Sequence, residues 1–224
     1  MNKKKPISRP LFWVEGIIGC GKTTFCREVG KRLKLRVIEE PVAENPYLAP
    51  FYDNPADHAF AMQIFLLGKR HAMQQLAAWE STGVGGYGGA MLDRSLAGDR
   101  VFAKLHRDAG NITALDWETY EMWYDIACRN LLPPTRIIYL DASPETALER
   151  IRKRTEEDPK TRGCESKILL PYLQQLEAGY HALLAEARVG LLPWAHAITV
   201  KEMVWDPIND HPDWDRIANN VAQD

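Results

Sequence analysis

The stretch Gly16-Ile17-Ile18-Gly19-Cys20-Gly21-Lys22-Thr23 limits what this chain can fold into more than any other. It follows an apolar run, Leu11-Phe12-Trp13-Val14, and precedes a segment that reads as a helix from about Thr24 to Leu33. A strand, a glycine-rich turn and a helix N-terminus together form an anion site, because backbone N–H groups point inward and the helix dipole favours negative charge. Gly16, Gly19 and Gly21 let the backbone curl around a phosphate with no Cβ in the way. Lys22 is spaced to reach terminal phosphates and the Thr23 hydroxyl to hold Mg²⁺. A chance glycine-rich turn with an exposed lysine would not need the strand before it and the helix after it.

The rest of the chain alternates strands and helices. Strands are expected at Leu11–Glu15, Leu35–Glu40, Ala90–Asp93, Arg136–Asp141 and Ala197–Val200. A long helix opens at Asn54-Pro55 and runs to about Trp79, with Met62, Phe65, Leu66, Met73, Leu76 and Ala77 on an apolar stripe. Further helices are expected over 98–106, 115–131, 144–154 and 169–187, with a turn and a short helix between 206 and 224. The stretch 45–52 reads as a loop, Gly83–Gly89 as a flexible connector and 155–165 as a polar connector. This alternation means a parallel α/β sheet with right-handed crossovers, five strands wide. Ligands in such sheets sit beyond the carboxyl ends of the strands. Gly16–Thr23, Glu39–Glu40, Asp93–Arg94 and Asp141 all fall there, so they can converge on one crevice.

With 224 residues the chain is expected to be one domain, and its net charge of −2 gives no basic field for nucleic acid. Met1–Pro10 is a short basic tail, expected to be flexible, without the apolar core of a secretory signal, and no run is long enough to span a membrane. Cys20, Cys26, Cys128 and Cys164 lack Cys-x-x-Cys spacing and read as reduced thiols of a cytoplasmic protein.

Phosphoryl transfer asks for positioning and for cations around the spreading charge. Asp93, at the end of the third strand, is placed to serve a metal with Thr23. Glu39 and Glu40 are both candidate carboxylates for an acceptor hydroxyl, and strand alternation sends them to opposite faces without choosing between them. Arg150, Arg152, Arg154 and Arg162 bracket the polar segment before Leu169, where a mobile loop can close over a transferring group.

Taken together, these motifs resemble the deoxyribonucleoside kinase family over most of the chain. The residues that carry the resemblance are Glu15–Thr23, Glu40-Pro41-Val42, Asp93-Arg94-Ser95 and the arginine-rich lid. Glu44-Asn45-Pro46-Tyr47-Leu48, Phe51-Tyr52 and Gln63–Arg70 are similar to the bacterial deoxyadenosine and deoxyguanosine kinase branch. The resemblance implies a P-loop kinase fold: a kinase domain over 11–224, a five-stranded parallel sheet flanked by helices, and an arginine-rich lid at about 152–166. It implies transfer from ATP, with Mg²⁺ at Thr23 and Asp93, to the 5′-hydroxyl of a deoxynucleoside. Glu40 is then the base, Arg94 and Lys22 the catalytic cations, and Gly16, Gly19, Gly21, Lys22, Thr23, Thr24, Arg152 and Arg154 the ATP site. Tyr52 and Glu165 hold the sugar 3′-hydroxyl. Gln63, Arg70 and Asp99 read the base, alongside Glu40, Asp93 and Arg94 in the substrate site. Arg70 and Asp99 favour purines, with deoxycytidine also accommodated. A homodimer is implied too, with aromatic residues Trp117, Tyr120 and Trp123 on the 115–131 helix available for an interface.

The family pattern is not followed everywhere. Many animal members carry a tryptophan where Asn45 stands, and Glu156-Glu157-Asp158-Pro159-Lys160 inserts acid between the lid arginines. Two other readings compete. Thymidylate kinase shares the phosphate loop and the Asp-Arg motif, but Ser95 stands where it would carry an aromatic. A nucleotide-dependent switch would need an Asn-Lys-x-Asp or Asp-x-x-Gly motif, and the sequence has neither.

Overall fold

Five parallel strands, in the order β2-β3-β1-β4-β5, form the sheet of this computed structural model, which describes residues 9–40, 45–129, 131–192, 198–205 and 212–223. In chain order the elements are β1 (Leu11–Glu15), α1 (Lys22–Leu33), β2 (Arg36–Ile38), α2 (Leu48–Asp53), α3 (Pro55–Ser81), β3 (Ala90–Asp93), α4 (Leu96–Asp108) and α5 (Ala114–Cys128). They continue with β4 (Arg136–Asp141), α6 (Pro144–Glu157), α7 (Pro159–Arg162), a 3-10 turn (Gly163–Lys167), α8 (Leu170–Arg188), β5 (Thr199–Val204) and α9 (Trp214–Ala222).

β1 lies at the centre, with Trp13 in register with Leu92 of β3 and Ile137 of β4. All of β1 and β3 and most of β4 are buried, as central parallel strands covered on both faces must be. In this order β1 connects toward β2 on one side while its neighbour β3 connects toward β4 on the other, which opens a crevice at the C-terminal ends of β1 and β3.

Several expected elements differ in extent. The segment 48–53 is a helix, not a loop; its proline, Pro50, sits in the first turn, where its missing N–H would be unpaired in any case. α4 starts earlier than expected because Ser95 caps it, its hydroxyl accepting from Ala97 N at 3.1 Å. The polar connector at 155–165 is helical for most of its length: α6 runs on to Glu157, and Asp158 then caps α7 by accepting from Thr161 N. β5 reaches Val204, and of the expected fifth strand Ala197 lies outside the described residues, as does the tail over 1–8. Pro41, Val42 and Glu44 also lie outside them.

Two helices present a different face from the one their apolar residues suggest. The buried stripe of α3 includes Gln63, Arg70 and Gln74 together with Met62, Leu67, Met73 and Ala77, while Leu76 faces solvent. In α5 the buried side chains are Tyr120, Tyr124, Ala127 and Cys128, and Leu115, Met122, Trp123 and Ile126 point outward. Tyr120, fully buried, is therefore not available to an interface. No helix among the described residues is long and apolar enough to cross a membrane.

Candidate active site

The phosphate loop lies between β1 and α1, with Gly21 as the N-cap of α1 in a left-handed conformation. Gly19 has φ 82°, and a Cβ there would sit 2.4 Å from the Ala147 carbonyl of α6, so no larger residue fits. Lys22 turns back into the loop, its ammonium donating to the carbonyls of Gly16 at 3.0 Å and Ile17 at 2.9 Å. The Thr23 hydroxyl donates to Asp93 Oδ2 at 2.5 Å, which ties the first turn of α1 to the end of β3. Burial raises the Asp93 pKa, against the pull of Lys22 and of the Thr23 bond. From α6, Arg150 donates to the Cys20 carbonyl at 3.0 Å.

Glu39 and Glu40 part company just beyond β2. Glu39 pairs with Arg27 on the surface, while Glu40 faces inward between two buried guanidiniums. Arg70 Nε donates to Glu40 Oε1 at 3.1 Å, with Nη2 donating to the same oxygen, and Arg94 Nε donates to Oε2 at 3.2 Å. Burial raises the proton affinity of Glu40, but Arg70 and Arg94 outweigh it and hold its pKa down at about 2. Arg70 also donates to Asp99, whose other oxygen accepts from the Tyr120 hydroxyl at 2.6 Å.

Arg94 is fixed with equal care. Its φ of 73° is in the left-handed region, held by a bond from its N–H to the Val14 carbonyl. Its Nη1 donates to the Tyr180 hydroxyl at 2.6 Å, and that hydroxyl donates to Glu15 Oε2 at 3.1 Å. Glu15, fully buried, also accepts from Ser95 and from Gly98 N. A Cβ at Gly98 would lie 2.4 Å from Glu15 Oε2 and 2.6 Å from the Tyr180 oxygen, so glycine is what leaves room for this network.

These groups border one cleft of about 620 Å³. Lys22, Thr23, Thr24, Glu40, Tyr52, Gln63, Arg70, Asp93, Arg94, Arg154 and Glu165 all line it, whereas Asp99 stands behind Arg70. Gln63 is fully buried, and neither its amide oxygen nor its amide nitrogen has a partner. Glu165, also buried, is held by Arg154 at 2.8 Å and Arg162 at 2.9 Å. Arg152 is a correction: it is exposed and off the cleft, because two residues along a helix is roughly 200° of rotation from Arg150 and Arg154.

A family model for deoxynucleoside kinase matches residues 12–223. The chain belongs to the deoxynucleoside kinase family. It is 36% identical over 184 residues to a deoxyadenosine kinase of Dictyostelium discoideum, covering 82% of this chain and 70% of that one. It is 29% identical to a deoxyguanosine kinase of Bacillus subtilis (strain 168), over 96% of this chain and 97% of the other. Its fold superposes with TM-score 0.74 on a solved deoxyadenosine kinase from M. mycoides with bound dCTP, at 26% identity, covering 94% and 97% of the two chains. As a member of this family the chain is a phosphotransferase that phosphorylates deoxynucleosides, with ATP as donor. That assignment sets aside the thymidylate kinase and switch readings.

Four residues of this deoxynucleoside kinase's site were given no place in it from sequence. Lys153 lines the cleft beside Arg150 and Arg154, at helical spacing on α6. Tyr172, Tyr180 and Tyr120 are single aromatics on apolar helix faces, and nothing in such a position separates a working hydroxyl from core. The set Thr23 and Asp93 suits Mg²⁺, which takes one or two protein oxygens and completes its shell with water and nucleotide phosphate. It does not suit a resident metal, since no group of three or more His, Cys, Asp or Glu is gathered for one among the described residues.

Proposed function

We propose that this enzyme transfers the γ-phosphoryl of Mg²⁺–ATP to the 5′-hydroxyl of a purine deoxynucleoside, with deoxycytidine as a secondary substrate. The observation that carries the base assignment is the buried, unpartnered Gln63 amide facing the cleft two helical turns from Arg70. A buried amide with both ends free costs stability unless a ligand completes it, and it offers one donor and one acceptor to a base edge. Arg70, held by Asp99, adds N–H groups for O6 or N7 of guanine or the acceptors of adenine.

In this reading Glu40 takes the proton of the 5′-hydroxyl, and Arg94 stays beside the attacking oxygen and the transferring phosphate. Lys22 exchanges its loop carbonyls for phosphate oxygens, with Gly16, Gly19, Gly21, Thr23 and Thr24 around them. Magnesium, when bound at Thr23 and Asp93, neutralises charge on the donor phosphates. Tyr52 and Glu165 bind the 3′-hydroxyl. Arg150, Lys153 and Arg154 sit where a lid over about 152–166 excludes water and offsets charge in a loose transition state. The kinase domain spans 11–224 and works in the cytoplasm as a homodimer. Support for the dimer is the outward face of α5, where Leu115 is 73% exposed and Met122, Trp123 and Ile126 about half.

The deciding assay offers deoxyadenosine, deoxyguanosine, deoxycytidine and thymidine in turn with ATP and Mg²⁺, and separates products by charge. Monophosphate mainly from the purines is the expected result. Monophosphate from thymidine alone refutes the role given to Gln63 and Arg70. Sedimentation of the purified protein tests the dimer.

A further inference from the structure

Arg70 grips two acids at once, and the two are held differently. Asp99 is fully buried in the first turn of α4 and fixed from its far side by the Tyr120 hydroxyl. Glu40 borders the cleft, keeps part of its side chain exposed, and is bonded only by Arg70 and Arg94 among the contacts described. Arg94 is immobilised by its backbone, by Tyr180 and through it by Glu15. Glu40 thus has one cation that cannot leave and one whose donors point along the same face of α3 as the unpartnered Gln63.

We infer that Arg70 is shared between the nucleobase and Glu40: a base that takes up its N–H groups loosens the grip on the carboxylate, so that filling the base site readies Glu40 for the 5′-hydroxyl proton. This rests on the proposed roles of Glu40 as base and of Gln63 and Arg70 as base readers. Arg70 carries five N–H donors, of which two go to Glu40 and one to Asp99. When the Glu40 donors turn to the nucleobase, Asp99 remains as counter-ion, so no buried charge is left alone. Glu40 then keeps Arg94, with Lys22 and Asp93 also facing it from the phosphate loop and β3. With one cation withdrawn, its affinity for a proton rises. A nucleoside with no acceptor for Arg70 leaves the grip in place and turns over slowly even at saturation, so selectivity enters kcat as well as KM.

The competition is measurable without catalysis. The probe is 2′,5′-dideoxyguanosine, which has a base but no 5′-hydroxyl for Glu40 to bind. Its Kd is measured by calorimetry for the wild type, Glu40→Gln, Arg70→Met and the double variant, with Arg70→Lys as a charge-preserving replacement should Arg70→Met fold poorly. A neutral side chain at 40 releases Arg70, so Glu40→Gln is expected to bind about tenfold tighter, the scale of one charge-assisted hydrogen bond. In the Arg70 variants that gain is expected to vanish. Equal affinity of wild type and Glu40→Gln overturns the coupling, and so does a gain that persists without Arg70. If the Arg70 variants bind the probe as the wild type does, the base-reading role itself fails, a result distinct from loss of the coupling alone.

Discussion

His106 should make this kinase acid-sensitive in a way that one substitution removes. Its ring is buried on α4, edge-on to Phe51 at 4.8 Å between centroids and stacked on Tyr172 at 6.1 Å, and its Nε2 has no partner. Burial lowers its pKa from 6.5 to about 4. The unfolded chain therefore binds a proton below about pH 6.5 that the folded one refuses until about pH 4, so stability falls as pH drops through that window. Each pKa unit is worth about 1.4 kcal/mol, which puts the loss from this one group between pH 7.5 and 5.0 at about 2 kcal/mol. Glu40 acts lower down: its folded pKa of about 2 lies below 4.5, so its contribution is intact above 4.5 and is lost only as pH falls toward 2. Asp93 and Asp99, raised by burial, work in the opposite sense to Glu40. Comparing His106→Gln with the wild type cancels all of these and leaves the histidine. Urea unfolding at pH 7.5, 6.5, 5.5 and 5.0 should show the stability difference moving in favour of the variant by about 2 kcal/mol from first to last. A difference that stays constant across the series would refute the account.

Tyr180→Phe removes the hydroxyl between Arg94 and Glu15. It should cost about 2 kcal/mol, a fall of roughly 4–8 °C in Tm, and lower kcat more than it changes KM for ATP, as thermal melts and steady-state kinetics would show. Lys22→Met should abolish transfer while circular dichroism and melting stay close to the wild type, because the ammonium bonds only to its own loop. Arg154→Ala leaves Glu165 with Arg162 alone and should raise KM for the nucleoside several-fold, whereas Arg152→Ala, at an exposed site off the cleft, should leave both kcat and KM unchanged.

The sheet and the phosphate loop were legible because their signals are local: apolar runs of strand length, and glycines spaced for positive φ. What was hidden depended on partners distant in sequence. The apolar stripe expected on α3 is rotated from the buried one, since Gln63, Arg70 and Gln74 occupy inward positions that a hydrophobicity pattern assigns to solvent. In α5 the most apolar residues lie outside and two tyrosines within, again against what hydrophobicity alone would assign. Strand alternation could not choose between Glu39 and Glu40, and β2 ends at Ile38, before either. The choice is made by Arg27 on one side and by Arg70 and Arg94 on the other, each from a different element. The helical course of 155–165 was missed because its residues are charged, and its order comes from Asp158 as a cap and Glu165 as an anchor.

Burying two arginines and two acids in one cluster is expensive, and the arrangement shows why it is tolerated. Arg70 and Arg94 balance Glu40 and Asp99, and the outer ends of the cluster are closed by Tyr120 and by Tyr180 with Glu15. Full hydrogen bonding offsets much of the desolvation cost of such a network, and removing any one charge strands another. The three strands that deliver it, β2, β3 and β1, end side by side, so the phosphate loop, Glu40 and Arg94 each leave from a strand end fixed by the sheet's register. Gln63 stands at the border of this closed network with neither end satisfied. Polar burial in this cluster holds its charges still, and under the proposed role of Gln63 the one open amide is completed by the substrate, the division of labour that a reaction governed by positioning requires.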